Sequence, residues 1–339
     1  MIDKADIIYT KSWMNLAETS YDSNSDDGSI PESGVVYCNI EHIHKFFEKC
    51  KLTNNKYIVI SAFSDFGVSL QEEHPVSIDM LKFIPFLESD IANLGYNALQ
   101  IPPRCELDKC NIEDKYSVRC YTYTYSTFPE IPNNVVKWFT ANAQVKDDKI
   151  INIPLGVHRR EDEPCYTLTN PLLVEPSDRV NLGTTPTSPL LVNRSDRVNW
   201  LYLNWQDNTV DRFKMKNAYM QLNPDWATIV NEPKPYKEYI NDLSEHSFAL
   251  CPEGNGLDCY RMLECLYSGC VPIVRNHIAY SYMNDMPHVK VNEWREISPE
   301  FLKNQLKRLS MSEFDMSKIK LSYWKNQIDE LKILLRDKA

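Results

Sequence analysis

The sequence predicts an α/β fold made of two domains, each with a parallel β-sheet flanked by helices. With 339 residues, the chain is too long for one ordinary hydrophobic core and long enough for two domains of typical size. Short apolar runs with the length of buried strands alternate with amphipathic runs of helical period. That alternation is typical of parallel sheets whose strands are joined by crossover helices.

The first predicted domain covers residues 1–157. It contains a polar stretch at 23–29, whose Ser, Asn, Asp and Gly residues favour no regular structure. The spacing of apolar residues predicts its remaining elements. These are helices at 40–50 and 78–94, and strands at 57–63, 98–101, 137–139 and 150–153.

An internal duplication marks the connection between the domains, predicted at 158–199. The segment PLLVEPSDRVN at 171–181 recurs as PLLVNRSDRVN at 189–199, with nine of eleven positions identical. Two copies are too few for a solenoid, which needs at least three repeats to bury a core. We expect a lengthened linker or a hairpin-like excursion, with a flap that recognises an acceptor as the functional alternative.

The second predicted domain covers residues 200–339. Apolar spacing predicts strands at 200–205, 248–250 and 271–274, and helices at 209–222, 236–245, 301–309 and 317–335. The last helix is long enough to cross back onto the first domain, although packing on its own domain is the simpler expectation.

The segment 247–276 is the most informative part of the chain, because it combines strand, Gly-rich turn, helix and strand. In α/β proteins this unit often holds a phosphorylated ligand at the helix N-terminus. The first strand is predicted to stop at Pro252, and Asp258 is a candidate N-cap. Between them lie Gly254, Asn255 and Gly256, which tolerate a positive φ and allow a ligand to approach the backbone.

Arg261 and Glu264 lie three residues apart in the predicted helix, hence on one face. Together with the helix N-terminus, Arg261 can balance the charge of a pyrophosphate, and Glu264 can accept hydrogen bonds from ribose hydroxyls. The plainer alternative is a solvated ion pair beside an ordinary turn. The complete spacing favours a nucleotide-diphosphate-sugar site.

This motif, PEGNGLDCYRMLECLYSGCVPIV, resembles the donor-site signature of exostosin-like glycosyltransferases. Two further segments are more loosely similar to the family, the segment 204–212 with Asn204, Thr209 and Arg212, and the segment 134–156. The signature positions are Pro252, Gly254, Gly256, Arg261, Glu264, Gly269, Cys270, Pro272 and Val274.

The resemblance implies a GT-B fold, in which two Rossmann-like domains face each other across a cleft. It implies that the second domain binds the nucleotide sugar without a required metal or cofactor. Arg261, and secondly Arg212, would then stabilise the leaving diphosphate.

An acceptor would enter over the first domain, where Ser64 and Asp65 follow a predicted strand, as in similar proteins of this family. Asp65 is the candidate general base, with a turn cap as the alternative. Ser64, His158 and Arg159 are further candidates for the acceptor side. The basic residues at 158–160 are otherwise a solvated loop.

Composition and charge argue against a general nucleic-acid binder, a membrane protein and a zinc-ribbon protein. A net charge of −10 argues against a general nucleic-acid binder. No run of 18 apolar residues and no signal-peptide pattern occurs in the sequence, so we expect a soluble, cytoplasmic protein of bacterial, phage or viral type with no membrane partner. The ten cysteines form no Cys-x-x-Cys pair, so we expect reduced core thiols and no zinc ribbon.

The predicted function is therefore transfer of a hexose or pentose from a nucleotide-diphosphate sugar, with uridine favoured by the resemblance, to a hydroxyl of a glycan or polysaccharide. Two alternatives stay open. One is a phage enzyme that glycosylates a hydroxylated or hydroxymethylated pyrimidine in DNA, which would need base flipping and a basic cleft. The other is a carbohydrate-binding pseudoenzyme.

Overall fold

The structure is a computed structural model that describes residues 4–21, 30–62, 68–69, 126–127, 130–157, 199–206, 210–254 and 256–336. The helix predicted at 78–94, the strand predicted at 98–101 and nearly all of the duplicated connection lie outside the described residues.

A five-stranded parallel sheet is built from strands in the first half of the chain. Its strands lie in the order β1-β2-β3-β6-β7, and every neighbouring pair is parallel. Two short strands, β4 and β5, pair separately. The strands are β1 (Thr19–Tyr21), β2 (Gly34–Cys38), β3 (Tyr57–Ser61), β4 (Val68–Ser69), β5 (Ser126–Thr127), β6 (Val135–Thr140) and β7 (Ile150–Asn152).

A second parallel sheet is built from residues 199–291, in the order β12-β11-β10-β8-β9. Since β10 lies at its centre, the loop that follows β10 opens in the middle of the sheet's carboxyl edge. The strands are β8 (Asn199–Leu203), β9 (Ala227–Ile229), β10 (His246–Leu250), β11 (Val271–Arg275) and β12 (Val289–Val291).

Helices cover both faces of the second sheet, as predicted. Buried residues of α2 and α5 pack on one face, and those of α3 and α4 on the other. The helices are α1 (Ile43–Cys50), α2 (Val210–Leu222), α3 (Tyr236–Glu245), α4 (Tyr260–Tyr267), α5 (Pro299–Ser310), α6 (Leu321–Leu331) and α7 (Ile333–Arg336). Shorter 3₁₀ helices include Thr10–Leu16, Ile278–Met283 and Ser317–Ile319.

The central strands β3 and β10 are buried on both faces. In β3, Tyr57 and Val59 join the core beneath α1, whereas Ile58 and Ile60 join a core that continues into the second sheet. In a parallel sheet covered on both sides, strands are apolar throughout. The apolar runs in the sequence predicted β3, β6, β7, β8, β10 and β11, whereas β2, which is also buried throughout, was not predicted.

The C-terminal segment departs from its prediction, because the helix expected at 317–335 is divided into Ser317–Ile319, α6 and α7. Lys320 interrupts it with extended backbone and forms an antiparallel bridge to Ile7. Backbone pairing with the N-terminal segment thus replaces a turn of helix, which apolar spacing alone does not reveal. The segment nevertheless crosses to the N-terminal part of the chain, where Trp324 contacts Trp13 with ring centroids 5.7 Å apart.

Candidate functional site

The candidate site lies at the carboxyl edge of the second sheet, around the loop that joins β10 to α4. Cys251 to Gly254 follow β10 directly, and α4 begins at Tyr260. In open α/β sheets, ligands bind outside the carboxyl ends of the strands. Most of the predicted donor residues therefore meet at one place.

Close packing against Arg212 explains why position 254 is a glycine. The φ of Gly254 lies outside the left-handed region, so the tolerance of glycine for a positive φ is not used at this position. A Cβ at Gly254 would lie 2.8 Å from Nη2 of Arg212. The glycine is needed because a guanidinium occupies the space in which a side chain would stand.

Arg212 lies in α2 and is only 7% exposed. Its Nη2 donates a hydrogen bond to the carbonyl of Pro252 at 3.0 Å. Around it, Trp205 Nε1 donates to the Arg212 carbonyl at 3.2 Å, and Lys216 Nζ donates to the Trp205 carbonyl at 3.2 Å. The start of α2 is thereby held against the loop that follows β10, with a cation directly beside Gly254.

Arg261 is the second cation of the site and lies in the first turn of α4. It is partly buried, and within the described part of the chain its guanidinium makes no hydrogen bond and no ion pair; its Nε is buried without a partner. Burial alone would lower the pKa of Arg261, but the neighbouring Tyr239, Cys259, Cys251 and Glu264 raise it. The group is therefore a fixed positive charge whose donors have no acceptor among the described residues.

Glu264 lies one turn further along α4 and is 5% exposed. Tyr236 donates to its Oε1 at 2.9 Å and Tyr239 to its Oε2 at 2.8 Å. Burial raises the pKa of Glu264, whereas the Tyr239 hydrogen bond, the charge of Arg261 and the Tyr236 hydrogen bond oppose that rise. Each carboxylate oxygen keeps one further lone pair for a ligand hydroxyl.

Asp258 is not the N-cap of α4. The N-cap is Cys259, with no side-chain capping bond, and Asp258 lies one residue earlier. Its Oδ2 accepts hydrogen bonds from the Leu155 backbone at 2.8 Å and from Tyr282 at 3.0 Å, and its own N–H donates to Asn142 Oδ1 at 2.6 Å. The carboxyl group points to the end of the first sheet because these donors satisfy it there. Burial raises its pKa to about 7.

Asn204 follows β8 at the same edge. Its Nδ2 donates to the Tyr202 hydroxyl at 3.0 Å, and that hydroxyl donates to Asp242 Oδ2 at 2.6 Å. Lys234 Nζ also contacts Asp242 Oδ2, at 2.6 Å. The chain of bonds fixes the orientation of the Asn204 amide at the rim of the site.

Several predicted residues lie outside the described part of the chain, namely Ser64, Asp65, His158, Arg159, Thr209 and Asn255. Their roles stay predictions. Among the described residues, no three His, Cys, Asp or Glu side chains are grouped so that they could hold a metal ion. Transfer without a metal likewise stays a prediction.

Four further residues contact the site and were not predicted from the sequence: Glu253, Arg275, Tyr236 and Tyr239. Arg275 Nε donates to Glu253 Oε1 at 2.6 Å, across the carboxyl ends of β10 and β11. The tyrosines are three residues apart on α3, a spacing that predicts a shared face. Their common target, Glu264, could have been proposed only once α3 was known to pack against α4.

The cysteines near the motif are core residues, as predicted. Cys251, Cys265 and Cys270 are fully buried, Cys259 is partly exposed, and all four are free thiols. The Sγ atoms of Cys251 and Cys265 lie 3.9 Å apart.

Residues 208–336 match the profile of a protein family described as the RXYLT1 C-terminal domain. This match supports a glycosyltransferase family, of exostosin-like type. It includes Arg212 and the whole donor motif and leaves the similar segment at 134–156 outside. No curated protein matches the chain significantly. In the described parts of the chain, we find no helix with the length and apolar character needed to span a membrane.

Proposed function

We propose that this protein transfers a sugar from a nucleotide-diphosphate sugar, and that the diphosphate binds between Arg212 and Arg261 at the start of α4. The observation that carries the proposal is the unused guanidinium of Arg261, a partly buried cation with no hydrogen bond or ion pair among the described residues. A partly buried guanidinium whose N–H donors have no acceptor is unfavourable even when a carboxylate lies nearby. An anionic ligand would supply the missing partner.

The chemistry of the site fits a diphosphate leaving group. When the bond between the sugar and the diphosphate breaks, negative charge develops on the departing phosphate oxygens. Arg261 offers a planar fork of N–H donors for those oxygens, and Arg212 adds a second positive charge at Gly254. Because both groups are already in place, little reorganisation would accompany the reaction.

Glu264 is proposed to accept a hydrogen bond from a ribose hydroxyl. The two tyrosines hold its carboxylate in one orientation, since each donates to a different oxygen. A carboxylate fixed in this way can discriminate a ligand with a free hydroxyl from one without it. Glu264 also provides a negative charge near Arg261, which limits the cost of burying that cation.

We propose a GT-B arrangement in which a glycan hydroxyl enters over the first sheet and Asp65 removes its proton. The two parallel sheets are compatible with Rossmann-like domains. A uridine donor, a hexose or pentose as the transferred group, and transfer without a metal belong to the same proposal.

A thermal-shift screen tests the donor site directly, with UDP, GDP, CMP, dTDP and their sugars as ligands. A ligand that binds only the folded state at 100 times its Kd stabilises the protein by about 2.7 kcal/mol. We expect one nucleotide family to raise the melting temperature of the wild type. We expect that rise to disappear in Arg261→Ala.

Arg295→Ala is the matched control, because Arg295 lies in the same half of the chain with a side chain that is 82% exposed. It should respond to nucleotide like the wild type. If no nucleotide shifts the wild type, or if Arg261→Ala shifts as far as the wild type does, the proposed site is wrong.

A further inference from the structure

Glu253 is a buried carboxylate with one oxygen unused. Its side chain is 6% exposed, and Oε1 accepts the hydrogen bond from Arg275 Nε at 2.6 Å. Its other oxygen, Oε2, is buried and has no hydrogen-bond partner among the described residues. An unpartnered acceptor on a buried charged group is unfavourable enough to need an explanation.

The position of Glu253 ties it to the donor loop. Its neighbour Pro252 supplies the carbonyl that Arg212 binds, and its other neighbour, Gly254, touches the Arg212 guanidinium. Arg275, which holds Oε1, is the last residue of β11. Glu253 therefore lies at the carboxyl edge of the sheet, on the side of β11.

The other carboxylate of the site, Glu264, faces α3, the helix that packs on β10 and β8. Glu264 accepts hydrogen bonds from two tyrosines of this helix, which directly precedes β10. One of them, Tyr239, packs against Tyr202 of β8 with ring centroids 6.2 Å apart, so Glu264 lies toward β8. A donor whose diphosphate is held at Arg212 and Arg261 extends in two directions. If its ribose reaches Glu264, its sugar extends toward β11.

We propose that Glu253 is a specificity-determining residue whose Oε2 accepts a hydrogen bond from a hydroxyl of the transferred sugar. This inference rests on the proposed function, because it assumes that the diphosphate lies at the two arginines. Arg275 acts as the positioning residue, since it fixes one carboxylate oxygen and leaves the other for the ligand. Only donors that carry a suitably placed hydroxyl satisfy Oε2.

Glu253→Gln is the informative change. Arg275 Nε still needs an acceptor, so the Gln carbonyl turns toward it and the Gln amide N–H₂ takes the place of Oε2. An acceptor is thereby replaced by a donor, while the volume of the side chain is kept. The sugar hydroxyl can then only accept from a neutral amide, so the stronger, charge-assisted hydrogen bond to a carboxylate is lost, and contacts to the nucleotide are unaffected.

The test compares the affinities of UDP, UDP-glucose and UDP-xylose for the wild type and Glu253→Gln by titration calorimetry. We expect the variant to bind UDP like the wild type and to bind at least one UDP-sugar about tenfold to a hundredfold more weakly. Glu313→Gln, at an exposed position in the same half of the chain, should change neither affinity.

The outcomes separate this inference from the function on which it rests. If the wild type binds none of the three ligands, the proposed uridine donor fails, and the role of Glu253 in recognising a UDP-sugar fails with it. A second outcome is that the wild type binds the ligands and Glu253→Gln either weakens the binding of UDP and the UDP-sugars equally or changes neither. That outcome refutes only the role of Glu253, because a purely structural ion pair does not distinguish the ligands. If Glu253→Gln does not fold, Arg275→Gln is measured in the same way. The Arg275 side chain is 39% exposed, so its replacement disturbs the fold less. This variant is expected to weaken the UDP-sugars more than UDP, and equal losses refute the inference.

Discussion

Replacing Asp258 by Asn should change how the stability of the protein depends on pH. Burial raises the pKa of Asp258 from 3.8 to about 7 in the folded state. Between these two values the folded protein retains a proton that the unfolded chain has lost. Stability from this group is therefore fully present below pH 4 and is lost as the pH rises toward 7.

The expected magnitude follows from the same pKa. A difference of about three pH units, at about 1.4 kcal/mol for each, gives about 4 kcal/mol of stability lost between pH 4 and pH 8. Asn cannot titrate, but its side-chain oxygen can accept the hydrogen bonds that Leu155 and Tyr282 donate to Asp258. Asp258→Asn should therefore lack this loss.

Urea unfolding followed by tryptophan fluorescence, at intervals from pH 4.5 to pH 8, measures the effect. Other titrating groups are shared by the two proteins, so the difference between their unfolding free energies isolates Asp258. We expect the wild type to lose stability relative to Asp258→Asn by several kcal/mol over this range. Parallel profiles would refute the reasoning that burial dominates the pKa of this carboxyl group.

Two further changes test contacts of the site. Glu264→Ala should destabilise the protein by about 3 kcal/mol in urea unfolding, because it leaves two buried tyrosine hydroxyls without their acceptor; an unchanged unfolding free energy would contradict this. Gly254→Ala should displace the Arg212 guanidinium from the Pro252 carbonyl, since the new Cβ would lie 2.8 Å from Nη2. We expect a loss of about 1 kcal/mol of stability and weaker nucleotide binding by calorimetry, and wild-type values for both would show that Arg212 can move at no cost.

Much of the fold could be predicted because buried parallel strands are apolar throughout. The predicted helix at 236–245 coincides with α3, and the strands at 57–63 and 271–274 correspond to β3 and β11. The three-residue strands β1, β9 and β12 were not predicted, because so short a run carries little periodicity, although the equally short β7 was predicted from the isoleucines at 150–153. They form because a neighbouring strand is present to pair with them.

The motif spacing predicted that Gly254, Arg261 and Glu264 share one site, and the resemblance added Arg212, but the partners of these residues could not be predicted. The contact between Gly254 and Arg212 joins residues 42 positions apart, and the Asp258 contacts reach back to Asn142. Such contacts depend on how α2 and the first sheet pack against the loop. The N-cap assignment of Asp258 failed for this reason, since a local rule competed with donors from a distant segment.

A crystal structure of the protein with UDP tests the central claim most directly. We predict that the diphosphate lies over the loop that follows β10, with phosphate oxygens within hydrogen-bond distance of the Arg261 guanidinium and the ribose toward Glu264. A nucleotide bound elsewhere, or one whose phosphates make no contact with Arg261, would contradict the account.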